Sequence, residues 1–468
     1  MSGRIGGDAT ALARAIADGR LTAAEAMEAA LLAAETDPLG AIARLDPALG
    51  RAGAARADAI LAAGATAASA PFRGLPFLGK DLGASARGLA ACGGNAALRE
   101  RTPDPEADDA LFARFRAAGL VPFGLTTVPE FGNALTSEPP GAPPARNPWN
   151  PALSPGGSSG GAAAAVASGI VAMAHATDAA GSIRVPAACC GLVGLKPSRG
   201  ATPMGPGFSN WLNGLVGEGV LARSVRDVAA IFAPISGEAQ GPVPDPALRG
   251  IPATPRVALA ISPAVSEASA AAAREAAQAL GGPVHALDPA AWAALSDRAA
   301  AVADLVLAVS LAEWVDAAGL AEHEIAPISA AAARHGRALS APAFFAATRE
   351  AAGVAHAMWA LFADADVIVA PVLADGPPEI GAFDPASTDL DAHHAKMDAT
   401  APGVALANVS GFPALALPFG MEGGLPRSFQ MIAPFGSGRA LLALAARLED
   451  LAPCPPFPRL AGLPEDLR

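Results

Sequence analysis

Apolar residues recur at three- and four-residue spacing over "DATALARAIADGRLTAAEAMEAALLAAE" (8–35), which predicts amphipathic helices across residues 8–70, with Gly19 as a C-cap between two of them. The period then shortens. "LPFLGKD" (75–81) reads as a short apolar strand with Lys80 at its end, and helix 107–118 stops at Gly119 before the strand "LVPFGLT" (120–126). A proline-rich loop over 137–155 leads into "SPGGSSGGAAAAVASG" (154–169), where Gly161 to Gly169 predict a buried helix of small residues. Further strands are expected at "RVALAIS" (256–262) and "DVIVAPVL" (366–373), with a largely helical region between them. "FPALALPFG" (412–420) and "SFQMIAPFG" (428–436) read as a closing strand pair. Strands alternate with helices throughout, so the fold class is α/β, with a sheet covered on both faces.

Composition narrows the function. The 468 residues are 52% hydrophobic and 16% charged, as in a globular chain, and the formal charge of −12 with no basic cluster argues against nucleic acid. No apolar segment is long enough to span a bilayer, and "MSGRIGGDAT" lacks an apolar signal core, so a cytoplasmic protein without membrane association is expected. Cys92, Cys189, Cys190 and Cys454 show no metal spacing and read as reduced and structural; no metal site is expected. Lysine plus arginine total 32, yet lysine occurs only at 80, 196 and 396. A lysine that persists in so arginine-rich a chain is a candidate for work arginine cannot do, because a buried lysine can lose its proton.

The glycine-serine stretch admits three readings. A phosphate loop needs a Gly-Lys-Ser/Thr ending or a G-x-G-x-x-G turn after a strand, and neither is present. "GGSSG" (156–160) matches the G-x-S-x-G elbow with Ser158 as nucleophile, but Pro148, Pro151 and Pro155 deny it the strand that must precede it. The third reading joins the stretch to "TDAAGSIRVPAACCGLVGLKP" (177–197), and here the chain resembles the amidase signature family of serine hydrolases. "GLPFLGKD", "AGLVPFGLTTVPEFG", "GVLARSVRDVA" and "VSGFPALALPFG" fall in family order, so the likeness spans roughly residues 70–440.

The resemblance implies one amidase domain over 1–468, built on a large mixed, twisted sheet. It would comprise N-terminal helices 8–70, a signature core 71–232, a linker-like loop 233–255, a mostly helical substrate-side region 262–363 and closing strands 366–440. It further implies a Ser-Ser-Lys triad: Ser182 as nucleophile, Ser158 as bridge and neutral Lys80 as base. Backbone N–H groups of Ala179, Ala180, Gly181 and Ser182 would form the oxyanion hole, donors of a kind typically worth about 3–4 kcal/mol each. Family members hold the bridging serine in a cis peptide, and Gly157 removes a side chain from that turn. Asp178 and Arg184 would brace the nucleophile loop, while Gly132, Trp211 and Asn213 are candidate substrate contacts.

Two departures from the family pattern stand out. Ala180 takes the place of a glycine, and Arg427 sits in a segment where glycine is common and is expected to face water. Lys196 reads as structural, His175 as a satisfied core histidine at the end of the apolar helix, and Lys396 with His393 and His394 as a polar surface segment. The expected reaction is hydrolysis of a carboxamide to carboxylate plus ammonia or amine, with no cofactor. The expected partners are a small-molecule amide and, for a homodimer, a second copy of the chain. A glutaminase-type subunit of a tRNA-dependent amidotransferase, or a non-catalytic binding protein on the same fold, are the alternatives.

Overall fold

Leu75–Lys80 and Leu120–Thr126 are unbroken buried runs, the signature of central strands covered on both faces. In the computed structural model, which describes residues 7–64, 70–203, 211–237, 250–452 and 455–466, they lie side by side in one mixed sheet. In chain order its strands are β1 (Ile42–Leu45), β2 (Leu75–Lys80), β3 (Leu120–Thr126), β4 (Met173–Asp178), β5 (Val193–Lys196) and β6 (Gly217–Ala222). The remainder are β7 (Val257–Leu259), β8 (Val284–Ala286), β9 (Val367–Pro371), β10 (Ala414–Glu422) and β11 (Leu425–Ile432). Their spatial order is β1-β3-β2-β4-β6-β5-β10-β11-β9-β7-β8. β3, β2 and β4 run parallel, as do β9, β7 and β8, while antiparallel pairs join the two groups.

Alternation along the strands sends side chains to two cores. Phe77, Met173, Val369, Leu417 and Phe429 face one, packed by helices Val225–Ile235, Glu267–Ala279 and Gly438–Glu449. Leu78, Ala174 and Ala416 face the other, against helices Gly160–Ser168 and Arg184–Cys190. Ile368, Ala370 and Ile432 extend that second face beneath the long helices Pro289–Ala317 and Ala341–Leu361.

The helix of small residues explains how a loop reaches the sheet edge. A Cβ at Gly161 would lie 2.4 Å from Thr127 N and 2.6 Å from Ala41 O, so only glycine lets the first turn rest on that backbone. The Gly161 N–H donates to Thr127 O at 3.1 Å, fixing the helix start beside the end of β3. Gly169, at φ 90°, ends the helix in the left-handed region.

Some local expectations are corrected. The N-terminal stretch is not wholly helical: β1 interrupts it, because Asp46 N donates to Phe123 O and the strand pairs with β3. A short edge strand, β8, lies within the region expected to be helical. His175 sits inside β4, not at a helix end. Residues Leu390–Thr400, read as a polar surface segment, form a helix with His393 buried on its inner side. Helix Val225–Ile235 runs into the expected linker, and its centre, 238–249, lies outside the described residues.

Gly161→Ala should lower the thermal midpoint by several degrees, because overpacking against fixed backbone typically costs about 1–3 kcal/mol. An unchanged midpoint in a thermal scan would remove the close-approach argument.

Candidate active site

The carboxyl ends of parallel β2 and β4 place Lys80 beside Thr177. Lys80 is fully buried. Its Nζ donates to Thr177 Oγ1 at 2.8 Å and lies 3.5 Å from Thr177 O. The third neighbour is Ser158 Oγ, at 2.8 Å. A neutral amine has two N–H donors and one lone pair, so Thr177 can take both donors while the Ser158 hydroxyl donates back. Burial pulls the Lys80 pKa down to about 7, against the opposing pull of Asp178 and Glu218.

Ser158 reaches this amine from the loop before helix Gly160–Ser168, and the Gly157–Ser158 peptide is cis. A Cβ on Gly157 would meet Thr136 N and O at 2.5 Å, so glycine is required there for space. No strand precedes Ser158, which removes the elbow geometry. Gly132 closes the other side: a Cβ there would stand 3.2 Å from Ser158 Oγ.

Ser182 lies in the loop between β4 and helix Arg184–Cys190, and its side chain lines the same cavity as Ser158. Asp178 shapes that loop. Its carboxylate accepts from Gly181 N at 2.6 Å, Ile183 N at 3.2 Å and Arg184 Nε at 3.0 Å. Burial pushes this carboxyl up, but Arg184 outweighs it and holds the pKa at about 2. Arg184 also donates to Asn408 Oδ1 at 2.6 Å and Gln430 Oε1 at 2.8 Å, and Asn408 Nδ2 returns to Asp178 O at 2.8 Å.

Gly181 is the one loop residue at positive φ, 107°; Ala180 is not among the non-glycine residues found there, so its side chain imposes no backbone penalty. Because Gly181 N–H is held by Asp178, the loop N–H groups without a protein acceptor among the described residues are those of Ala179, Ala180 and Ser182.

Cavity walls come from distant segments. Trp211, Leu307, Leu311 and Trp314 join Phe131 and Gly132 around the two serines, with Phe131 edge-on to Trp314 at 5.0 Å. Asn213 does not reach this cavity, although Trp211 does. A larger cavity of about 390 Å³ beneath Leu49, Ile60 and Val121 carries none of the candidate nucleophiles.

The remaining candidates are accounted for by local partners. His175 accepts from Lys80 N at 3.3 Å and meets Glu218 Oε2 at 2.8 Å, a satisfied core histidine beside β2. Lys196 is buried and donates to Pro197 O at 2.6 Å. Arg427 pairs with Glu275 at 2.9 Å instead of facing only water. Cys92, Cys189 and Cys190 are buried free thiols, and Cys454 lies outside the described residues. Among the described residues no helix is long and apolar enough to cross a membrane. Thr177, Asn408 and Gln430 had no sequence signal of their own; only contact with Lys80, Asp178 and Arg184 reveals them.

A buried amine titrating near 7 has a stability consequence. The unfolded chain binds a proton at Lys80 up to about 10.5, so the penalty is complete below about pH 7 and fades as pH approaches 10.5. Lys80→Met should therefore fold more stably than the wild type at pH 7, by up to ~4 kcal/mol, with the gain shrinking towards pH 10. Denaturant midpoints across that range check the sign.

Comparison with known proteins gives the family. A family model described as Amidase matches residues 25–442. The 6-aminohexanoate-cyclic-dimer hydrolase of Paenarthrobacter ureafaciens is 34% identical over 478 aligned positions, covering 95% of each chain. A solved structure of 6-aminohexanoate cyclic dimer hydrolase complexed with substrate superposes with a TM-score of 0.82 at 30% identity, over 96% of this chain and 98% of that one. A bacterial aryl acylamidase of the amidase signature family shares the fold, with a TM-score of 0.81 at 23% identity over 96% of each chain. The chain belongs to the amidase signature family of hydrolases acting on amide C–N bonds.

Proposed function

We propose that this protein hydrolyses a carboxamide through an acyl-serine intermediate, with Ser182 as nucleophile, Ser158 as proton bridge and Lys80 as base. The observation that carries the reading is the 2.8 Å contact between Lys80 Nζ and Ser158 Oγ at the wall of the cavity that Ser182 shares. An amide carbonyl is a poor electrophile, so the hydroxyl that attacks it must shed its proton as the bond forms. Neutral Lys80 accepts the Ser158 proton while Ser158 accepts that of Ser182. Ser182 Oγ adds to the carbonyl carbon, and the negative charge collects on the carbonyl oxygen. We assign its stabilisation to the N–H groups of Ala179, Ala180 and Ser182.

Collapse of the tetrahedral intermediate expels the amine, which takes its proton from Lys80 through Ser158. Water then enters by the same route: it passes a proton through Ser158 to Lys80 and attacks the acyl carbon. Collapse breaks the bond to Ser182 Oγ, which regains that proton through Ser158 as the acid leaves. Asp178 and Arg184 act by positioning, because both lie beneath the loop and are held by each other. The apolar and aromatic walls favour an acyl or amine portion with hydrocarbon bulk.

A fluorophosphonate should label Ser182, and Ser182→Ala should lower kcat by about a thousandfold or more in the purified chain acting alone on simple amides. Labelling at Ser158 would overturn Ser182 as the nucleophile, whereas turnover only with copurifying subunits would favour the amidotransferase reading. Lys80→Arg should cost about a thousandfold in kcat with the fold retained, since arginine stays charged. Because the base must be uncharged, kcat/KM should rise with pH through a midpoint near 7, where Lys80 titrates. A profile flat from about pH 5.5 to 9 would exclude Lys80 as the base.

A further inference from the structure

Beyond Ala180 a second chamber adjoins the catalytic cavity, and the two share Leu135, Ala180, Leu307 and Met397. The chemistry of the walls changes across that boundary. On the catalytic side Phe131, Trp211 and Trp314 are aromatic; on the far side stand Asp297, Asp304 and Asp398. Asp297 and Asp304 are seven residues apart on helix Pro289–Ala317 and so occupy one face, while Asp398 comes from helix Leu390–Thr400 opposite. No lysine or arginine is among the described residues lining this chamber, and its other walls include Ala300, Ala303 and Val404.

The cationic group beside these carboxylates is His394, which touches Asp304 and acts at longer range on Asp398. His394 Nδ1 lies 3.3 Å from Asp304 Oδ2, and that contact holds the imidazole above its ordinary pKa despite burial. Burial, then repulsion from Asp304 and Asp297, pushes the Asp398 carboxyl up to about 6, with His394 opposing. Three carboxylates line the chamber against this single imidazole, with no lysine or arginine among the described lining residues. A second, independent feature points the same way. Ser262 lines the chamber nine-tenths buried, and its hydroxyl has no hydrogen-bond partner among the described residues. With no partner in the protein, that hydroxyl is open to whatever occupies the chamber.

We propose that the chamber walled by Asp297, Asp304, Asp398 and Ser262 is a subsite for a primary ammonium group, so that the preferred substrates are amides carrying a cationic amine at one end. The ammonium supplies three N–H donors and one positive charge. Carboxylates on two facing helices and the Ser262 hydroxyl supply acceptors, and the cation relieves the repulsion among the aspartates. The hydrocarbon stem of such a substrate lies between Leu135, Leu307 and Met397, leaving the amide beside Ala180 and Ser182. This assignment rests on the amide-hydrolase reading of the adjoining cavity and adds the substrate class.

The test compares kcat/KM for 4-nitroanilides of ω-aminoalkanoic acids, four to eight carbons long, with the alkanoyl anilides of matching length. A second arm compares N-(ω-aminoalkyl)benzamides with N-alkylbenzamides, so that a cation on either side of the scissile bond is seen. The wild type should prefer the cationic member of at least one series by about tenfold, the worth of one partly buried ion pair. Asp398→Asn and Asp304→Asn should each bring that ratio towards one. Equal rates for cationic and neutral members in both series, or a preference that survives both variants, would overturn the subsite. Hydrolysis of the neutral amides and fluorophosphonate labelling of Ser182 are read in parallel. Their loss refutes the catalytic reading itself, whereas their retention without discrimination refutes only the subsite.

Discussion

A primary amine sealed from water at the ends of two parallel strands is the constraint around which the rest of this molecule is arranged. Taking an ammonium out of water is costly, so the folded state favours the form without the extra proton. The cage of Thr177 and Ser158 suits both forms. With the proton bound, all three contacts are donated by nitrogen; with it gone, the Ser158 contact reverses and the hydroxyl becomes the donor. One proton on one side chain thus decides whether the Ser158 hydroxyl accepts or donates at this contact. Arginine cannot switch in this way, because its guanidinium does not lose its charge.

A cage so demanding needs rigid walls, and those are built from long-range polar contacts. Asp178 and Arg184 are both fully buried, and each would be prohibitive alone. Together with Asn408 and Gln430 they form a closed network in which the named oxygens and N–H groups have partners. That network bends the loop after β4 so that Gly181 N–H turns inward to Asp178 while its neighbours stay free. Small residues serve the same end by a different route. Gly157, Gly161 and Gly132 let backbone and hydroxyls approach where any Cβ would intervene.

The cavity itself is assembled from parts with no sequence proximity. Its floor is the glycine-serine loop and the Ser182 loop; its walls are Phe131, Trp211 and the long helix that carries Leu307, Leu311 and Trp314. The floor therefore belongs to the sheet, and the walls belong to helices packed over one end of it. The Lys80 cage and the cavity walls come from different elements, so wall residues can change without touching the cage.

Local order was legible where it arises from neighbours in the chain. β2 with Lys80 at its end, β3 after the Gly119 stop, the helix of alanines and the pairing of β10 with β11 all follow from period and punctuation within a dozen residues. The same holds for the candidate chemistry, since Lys80, Ser158 and Ser182 stand in motifs that can be read letter by letter. What the linear string left open depends on partners tens to hundreds of residues away. β1 is a strand because β3 is beside it, His175 is in a strand because β6 pairs with β4, and Arg427 is held by Glu275. Thr177, Asn408 and Gln430 look like ordinary polar residues until the fold brings them to Lys80 and Arg184. Trp211 reaches the cavity and Asn213, two positions on, does not. The sequence by itself determined which side chains were able to perform the chemistry, because residue type sets charge, donors and acidity. Tertiary structure alone decided which of them are dry, which touch and what surrounds them, because burial and long-range contact exist only once the chain has folded.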